Sequence, residues 1–388
     1  MASIDDTVIT VIGHPWAPIG MGEQLRSHVR AGLAMGLDMK VLDIFRYAQR
    51  TDLAHDALLD PLEVTTAPGG IRIFHVNGDE VERVLAAFAA RGNEFAAGYN
   101  IIMPAWELPT YPAEWVPALQ KFDEVWAISR FVHDSLAVSG IKSHVIGQGV
   151  QFPPMPLLPR RHFGIRESAF VLLHFFDMSS YAARKNPEAV QVLFDRLRAE
   201  NPFADLQLVL KVKEREAESD WGAIFADDPQ IKVLSIPLDT QGVLSLINAC
   251  DCFVSLHRAE GFGRGLGEAM ALGRLALGTA WSGNLDFMTT ENSLLVQAGT
   301  IPVRADEYPH GAGQSWADPD LDHAHDLLRP VLADPARGRA IAERGRRDIL
   351  QSHGNRGLGL RILDRVQAII APPVVPAVKL RKAKKAKA

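Results

Sequence analysis

The chain has 388 residues, of which 47% are hydrophobic and 22% charged, and carries a formal net charge of −5. That length suggests two domains of roughly 100–200 residues each, and the mild acidity gives no case for a whole-protein nucleic-acid binder. Cys250 and Cys252 are its two cysteines; without a Cys or His cluster at ligand spacing they read as buried thiols at a strand start rather than a redox or metal pair, as expected in a reducing compartment.

Residues 7–13 (TVITVIG) form a β-branched apolar run ending in glycine, the pattern of a strand buried in a parallel sheet. The Pro/Gly stretch 14–22 reads as a loop. An amphipathic helix over 23–35, with Leu25, Val29 and Leu33 near one face, and a strand over 40–45 complete the opening of a Rossmann-like unit. Strands at 71–76, 99–104, 124–128 and 144–146 then alternate with helices at 81–90, 115–122 and 129–138. Such alternation argues for a mostly parallel sheet covered on both faces. Prolines at 153, 154, 156 and 159 stiffen 151–162 into an extended linker and domain boundary.

A second α/β series follows, with strands at 169–176, 206–212, 231–236, 252–256 and 275–278 and helices at 187–199, 240–248, 265–272, 323–332 and 337–350. The expected organisation is one Rossmann-like domain over 1–152, a second over 163–355, a C-terminal helix over 356–371 and a disordered tail over 372–388. That tail ends in KLRKAKKAKA. It is read either as a peripheral contact with anionic lipid or as a solvated basic segment without a role. No run approaches the ~20 apolar residues of a membrane span, and the N-terminus lacks a signal peptide's basic and apolar regions. A cytoplasmic protein, at most peripheral to the inner face of a membrane, is expected.

The chemistry concentrates in 257–268 (HRAEGFGRGLGE), which follows a buried strand and enters a helix. In a parallel sheet that is the carboxyl end of a strand, where such folds bind ligands. Glycines at 261, 263, 265 and 267 remove side chains, so backbone N–H groups over 261–264 can approach a phosphate or sugar, and the following helix aims its positive end at the same spot. A diphosphate suits such a pocket. Glu260 would accept hydrogen bonds from sugar hydroxyls, and Glu268, one turn into the helix, would reach a diol such as a ribose. A glycine-rich turn with two solvated glutamates is the plain alternative.

EGFGRGLGE resembles the E-x7-E signature of family 4 retaining glycosyltransferases. GHPWAPIGMGEQLR resembles that family's N-terminal glycine loop, and ARKNP its phosphate-binding basic motif. YNIIMPAWELPTYPAEW with FDEVWAISRF is similar to a subgroup acting in bacterial polysaccharide assembly, and DCFVSLHRAEGFG with GTAWSGNLDFM completes the set. The resemblance implies a GT-B fold, two Rossmann-like domains with a cleft between them. It also implies transfer of a sugar from a nucleotide-diphosphate sugar to a glycan or lipid-linked acceptor, with no metal and no cofactor beyond that co-substrate.

Position by position, the resemblance places the donor sugar on Glu260 and the nucleotide ribose on Glu268. The amides of Gly261, Phe262, Gly263 and Arg264 contact sugar and diphosphate, and Lys185 with Arg184 neutralises the leaving group. Ordinary surface charge is the alternative for that basic pair. Lys211 is a second candidate cation or a snorkelling lysine. Gly20 and Gly22 let the N-terminal loop approach the ligand, and Trp106 and Glu107 face the acceptor or form a packed loop. Asn284 contacts the sugar or caps a helix. The chain departs from the family at Arg264 and Gly267, lacks the glycine-arginine pair usual before the basic motif, and lacks a histidine in the WELP region. Two rival readings are a GT-B-fold nucleotide-sugar epimerase and a non-catalytic nucleotide-sugar-binding subunit.

Overall fold

A computed structural model describes residues 4–45, 56–67, 69–178, 181–213 and 221–371. In the first half, β1 (Val8–Gly13), α1 (Gly20–Ala34), β2 (Asp38–Asp43), β3 (Gly70–Phe74), α2 (Val81–Ala90), β4 (Gly98–Ile102), α3 (Val116–Leu119), β5 (Glu124–Ala127), α4 (Arg130–Val138) and β6 (His144–Val145) follow in order. They build a six-stranded sheet in the order β2-β1-β3-β4-β5-β6, with every pair parallel. β1 is an apolar run because both faces of its strand are covered, and Ile9, Val11 and Ile12 are fully buried.

The second half repeats the scheme with β7 (Phe170–Asp177), α5 (Ala182–Lys185), α6 (Pro187–Glu200), β8 (Leu206–Lys213), α7 (Trp221–Ile224), β9 (Ile231–Leu234), α8 (Thr240–Ala249), β10 (Cys252–Ser255), α9 (Arg264–Ala271), β11 (Leu275–Thr279) and β12 (Leu294–Val296). Its six strands lie in the order β12-β11-β10-β7-β8-β9. The order reverses between β7 and β10, so the loops leaving these two neighbours border a crevice at their carboxyl ends, the place where open α/β sheets take ligands.

Several features depart from the sequence expectations, among them β12, α5 and α7, which the sequence pattern does not predict, and α3, which is shorter than the expected 115–122. α1 begins at Gly20, three residues early, which places Glu23 in its first turn. An antiparallel pair, β13 (Ala298–Pro302) with β14 (Ser315–Pro319), interrupts the α/β series; neither segment carries a clean apolar alternation, so periodicity does not reveal it. The last helices run α10 (Leu321–Ala333), α11 (Pro335–His353) and α12 (Asn355–Ile370). Asp320 and Asp334 cap the first two through side-chain bonds to the His323 and Ala336 amides, which sets where they start.

α12 returns to the first half. Gly359 lies against the Ala31 carbonyl of α1, where a Cβ would come within 2.6 Å. Arg365 holds Glu124 with two nitrogens, and Arg361 Nε donates to the Ile146 carbonyl at 2.6 Å. One apolar cluster fills the first half and continues through α9 and α12, while a second lies between the other sheet, α6 and α10. The tail over 372–388, expected to be disordered, lies outside the described residues. Among those residues no helix is long and apolar enough to cross a membrane.

Candidate active site

Because β7 and β10 are hydrogen-bonded neighbours, the loops that follow them meet. Arg258 donates its amide to the Arg184 carbonyl at 2.8 Å, and Asn186 Nδ2 donates to the Leu256 carbonyl at 3.0 Å. Tyr181 and Asn186 take left-handed φ values of 57° and 55° on either side of α5, turning Arg184 and Lys185 toward the second loop. There Glu260, 8% exposed, pairs with Lys185 and lies 3.3 Å from Arg184. Burial alone would raise the Glu260 carboxyl, but the two cations outweigh it and bring it from 4.5 down to about 2. Burial also pulls the Lys185 ammonium below its ordinary value, against Glu260. Glu260 is thus a fixed anion between two fixed cations.

The glycine loop continues from this point. A Cβ on Gly261 would stand 2.8 Å from the Trp106 carbonyl, so only glycine permits this approach to the first half, and Ser129 Oγ donates to the Gly261 carbonyl at 2.6 Å. Gly263 has φ 86° and forms the N-cap of α9. Phe262 turns its ring inward, 5.1 Å from Phe287 and 5.5 Å from His353, leaving its backbone to the cleft. The first-turn amides of α9 have no carbonyl within the helix to bond, and its positive end faces the cleft.

Arg264 opens α9 and reaches across to the other half. Its guanidinium lies 2.8 Å from Glu268, 3.2 Å from Glu23 and 3.2 Å from Gln148 Oε1. Glu23 also pairs with Arg26 and Arg30; burial opposes ionisation, yet these guanidinium groups bring it to about 2. Burial raises Glu268 above its ordinary value despite Arg264. On the far side of Glu260, Arg184 also lies 3.9 Å from Glu107, which accepts the hydroxyl of Tyr308.

Between the halves lies a cavity of about 810 Å³, large enough for a nucleotide sugar. Gly20, Trp106 and Glu107 line it from the first half; Arg184, Lys185, Lys211, Glu260, Gly261, Phe262, Gly263, Arg264 and Glu268 line it from the second. The structure therefore brings together nearly all the residues singled out in the sequence. Gly22 is buried under the turn 14–17, and Asn284 is fully buried behind Gly263. Asn284 donates to the Thr279 carbonyl at 2.9 Å and lies 3.2 Å from His257 Nε2, so both ends of its amide are occupied internally.

Trp106 is buried and donates Nε1 to the Thr110 carbonyl at 2.9 Å. Lys211 Nζ donates to the Val212 carbonyl at 3.1 Å from the cavity wall. Sequence reasoning missed Glu23, Gln148, Tyr181 and Tyr308. The helical spacing of Glu23, Arg26 and Arg30 signals the first; nothing local signals Tyr308, which the β13–β14 connection delivers. Cys250 and Cys252 are buried, and burial raises both thiols, Cys250 to about 12. Among the described residues no group of three or more His, Cys, Asp or Glu side chains is arranged to hold a metal ion.

No protein-family model matches the chain, and no curated protein matches it. Solved structures match it over nearly its whole length. HepE of Anabaena, solved in complex with UDP and glucose, is 16% identical over 93% of this chain and 100% of its own, with a TM-score of 0.64. The sucrose-phosphate synthase of Thermosynechococcus elongatus is 14% identical over 94% and 99%, with a TM-score of 0.64. A glycosyltransferase of Rickettsia africae is 14% identical over 94% and 98%, with a TM-score of 0.60. With these the chain shares the GT-B architecture, two Rossmann-like halves facing one cleft.

Proposed function

We propose that this chain is a retaining glycosyltransferase of the family 4 type, moving a sugar from a nucleotide-diphosphate sugar to a glycan or lipid-linked acceptor. One observation carries the reading: Glu260 is held ionised between Lys185 and Arg184, directly before the glycine turn that opens α9, inside the cleft. Breaking the glycosidic bond leaves charge on a diphosphate. Lys185 and the first-turn amides of α9 stand ready to stabilise that charge, and such preorganised groups are worth several kcal/mol in a water-poor site. Glu260 accepts hydroxyl hydrogen bonds from the donor sugar, and Glu268 those of the ribose. The acceptor hydroxyl enters from the side of Glu107, and the departing phosphate oxygen takes its proton on the same face. The nucleotide sugar is the co-substrate, and no further cofactor enters this scheme.

The fold shared with HepE, solved with UDP and glucose, supports a nucleotide-sugar ligand. Resemblance in the WELP region suggests polysaccharide assembly as the setting, with the basic tail as the membrane contact. The test is a thermal-shift screen of UDP, GDP, ADP and their sugars, followed by turnover of whichever donor stabilises the protein. One nucleotide series should raise the melting temperature, and its sugar should yield free nucleotide and a glycosylated acceptor. An epimerised donor, or stabilisation without turnover, overturns the proposal.

A further inference from the structure

The connection between β13 and β14 leaves its own half and docks on the loop 106–115 of the other. Gln314 Oε1 accepts the Thr110 amide at 2.8 Å while its Nε2 donates to the Thr110 carbonyl at 3.2 Å. His310 lies 3.5 Å from Glu114, its ring 4.9 Å from that of Trp115. Tyr308 is 6% exposed, its ring 5.6 Å from Trp106 and 5.0 Å from Tyr181, and its hydroxyl is given to Glu107. Such a set of contacts fixes the aim of one carboxylate. Glu107, left a 23% exposed side chain on the cavity wall, cannot swing toward Arg184 without losing Tyr308, nor toward solvent without losing both.

The surroundings of Glu107 select by charge and shape. Arg184, the nearest cation, already lies between Glu107 and Glu260. Asp79 is exposed on the same wall, whereas the neighbouring Glu80 pairs with His14 and Arg83 and accepts the Asn77 amide. Half-exposed Tyr181 and partly exposed Trp115 present aromatic faces to the same space. Carboxylates that accept hydroxyl hydrogen bonds beside aromatic side chains that cover C–H groups suit a neutral sugar ring, and the Asp79 and Glu107 carboxylates repel a phosphorylated one.

Resting on the transferase reading above, we infer that the 303–314 connection completes a subsite for an uncharged sugar ring of the acceptor, with Glu107 receiving its hydroxyls and Tyr308 positioning Glu107. The acceptor terminus is then a neutral glycoside rather than a sugar phosphate. The experiment uses the full chain saturated with the nucleotide that stabilises it. Saturation-transfer NMR then reads the binding of methyl gluco-, galacto- and mannopyranosides and of their 6-phosphates. At least one neutral glycoside should bind and its 6-phosphate should not.

Tyr308→Phe keeps the ring packing and should weaken glycoside binding about tenfold, the loss of one hydrogen bond to a charged group, while the nucleotide affinity stays within about twofold. Glu107→Gln should weaken the neutral glycoside and let the 6-phosphate bind, a gain that a merely structural role does not produce. If the nucleotide binds but no neutral glycoside does, the inference is wrong. Equal binding of the 6-phosphates, or an unchanged Tyr308→Phe, also overturns it. If no nucleotide stabilises the wild-type chain, the transferase reading fails, and this inference falls with it for that separate reason.

Discussion

Glu260 is buried, ionised and doubly paired, and each property has a measurable consequence. Glu260→Gln keeps volume and hydrogen-bonding reach but removes the charge. If the carboxylate holds the donor sugar, kcat/KM should fall by roughly 10²–10³, the size seen when one preorganised electrostatic group is lost from a dry site. Lys185→Ala should do the same, whereas Lys384→Ala, in the basic tail, should leave transfer intact. Full activity in both site variants would remove the assignment. The same carboxyl makes stability depend on acid. Its folded value of about 2 lies below the ordinary 4.5, so its contribution is complete above about pH 4.5 and is lost as pH falls toward 2. Glu23 acts with the same sign. Melting temperatures measured from pH 7 to pH 3 should therefore drop, and the drop should be shallower in Glu260→Gln; parallel curves would show that this ion pair carries no such linkage.

At the scale of elements, the glycine turn into α9 is where local geometry and the proposed ligand site coincide. Gly263 sits at φ 86°, with Asn284 Cβ 3.0 Å from where its own Cβ would be. Gly263→Ala should cost about 1–2 kcal/mol through the left-handed backbone and, by shifting the first turn of α9, weaken nucleotide binding. Gly299→Ala, with nothing within 4 Å of its added Cβ, is the control expected to change neither. Equal melting temperatures for the two variants would contradict the strain argument. The strand-loop-helix order around this turn was legible in the sequence, since CFVSL is an apolar run and EGFGRGLGE a glycine-rich entry to a helix. The fate of Asn284 was not, because the SGN segment itself does not tell a ligand contact from a buried amide bonded to His257 and Thr279. The β13–β14 pair and Tyr308 were also illegible: AGTIP and SWADP lack alternation, and the partner of Tyr308 lies 201 positions away. Periodicity reports local faces, whereas the Tyr308 contact arises from the docking of one half on the other.

The halves of the molecule meet across the cleft at several places, among them Ser129 on the Gly261 carbonyl, the 303–314 connection and Arg264. On the reading proposed above, the Arg264 bridge links donor recognition to closure. Arg264 holds Glu268 on its own helix and Glu23 and Gln148 on the other half, so the carboxylate assigned to the ribose and the contact between halves share one guanidinium. Removing Arg264 loosens the bridge, yet it also leaves Glu268 buried without its paired cation, while Glu23 keeps Arg26 and Arg30, and that loss alone destabilises. A double-mutant cycle separates these effects. Arg264→Gln and Glu23→Gln should each lower the melting temperature, and the double variant should lose less than their sum, with a coupling of about 0.5–3 kcal/mol as expected for a direct contact. Closure expels water from the reacting centre. Hence Arg264→Gln should raise hydrolysis of the nucleotide sugar relative to transfer, whereas Arg344→Gln, which breaks the exposed pair with Glu291, should leave that ratio unchanged. A strictly additive cycle with an unchanged hydrolysis ratio would mean that Arg264 is packing charge rather than a bridge, because a contact that couples the halves must respond to the loss of either partner.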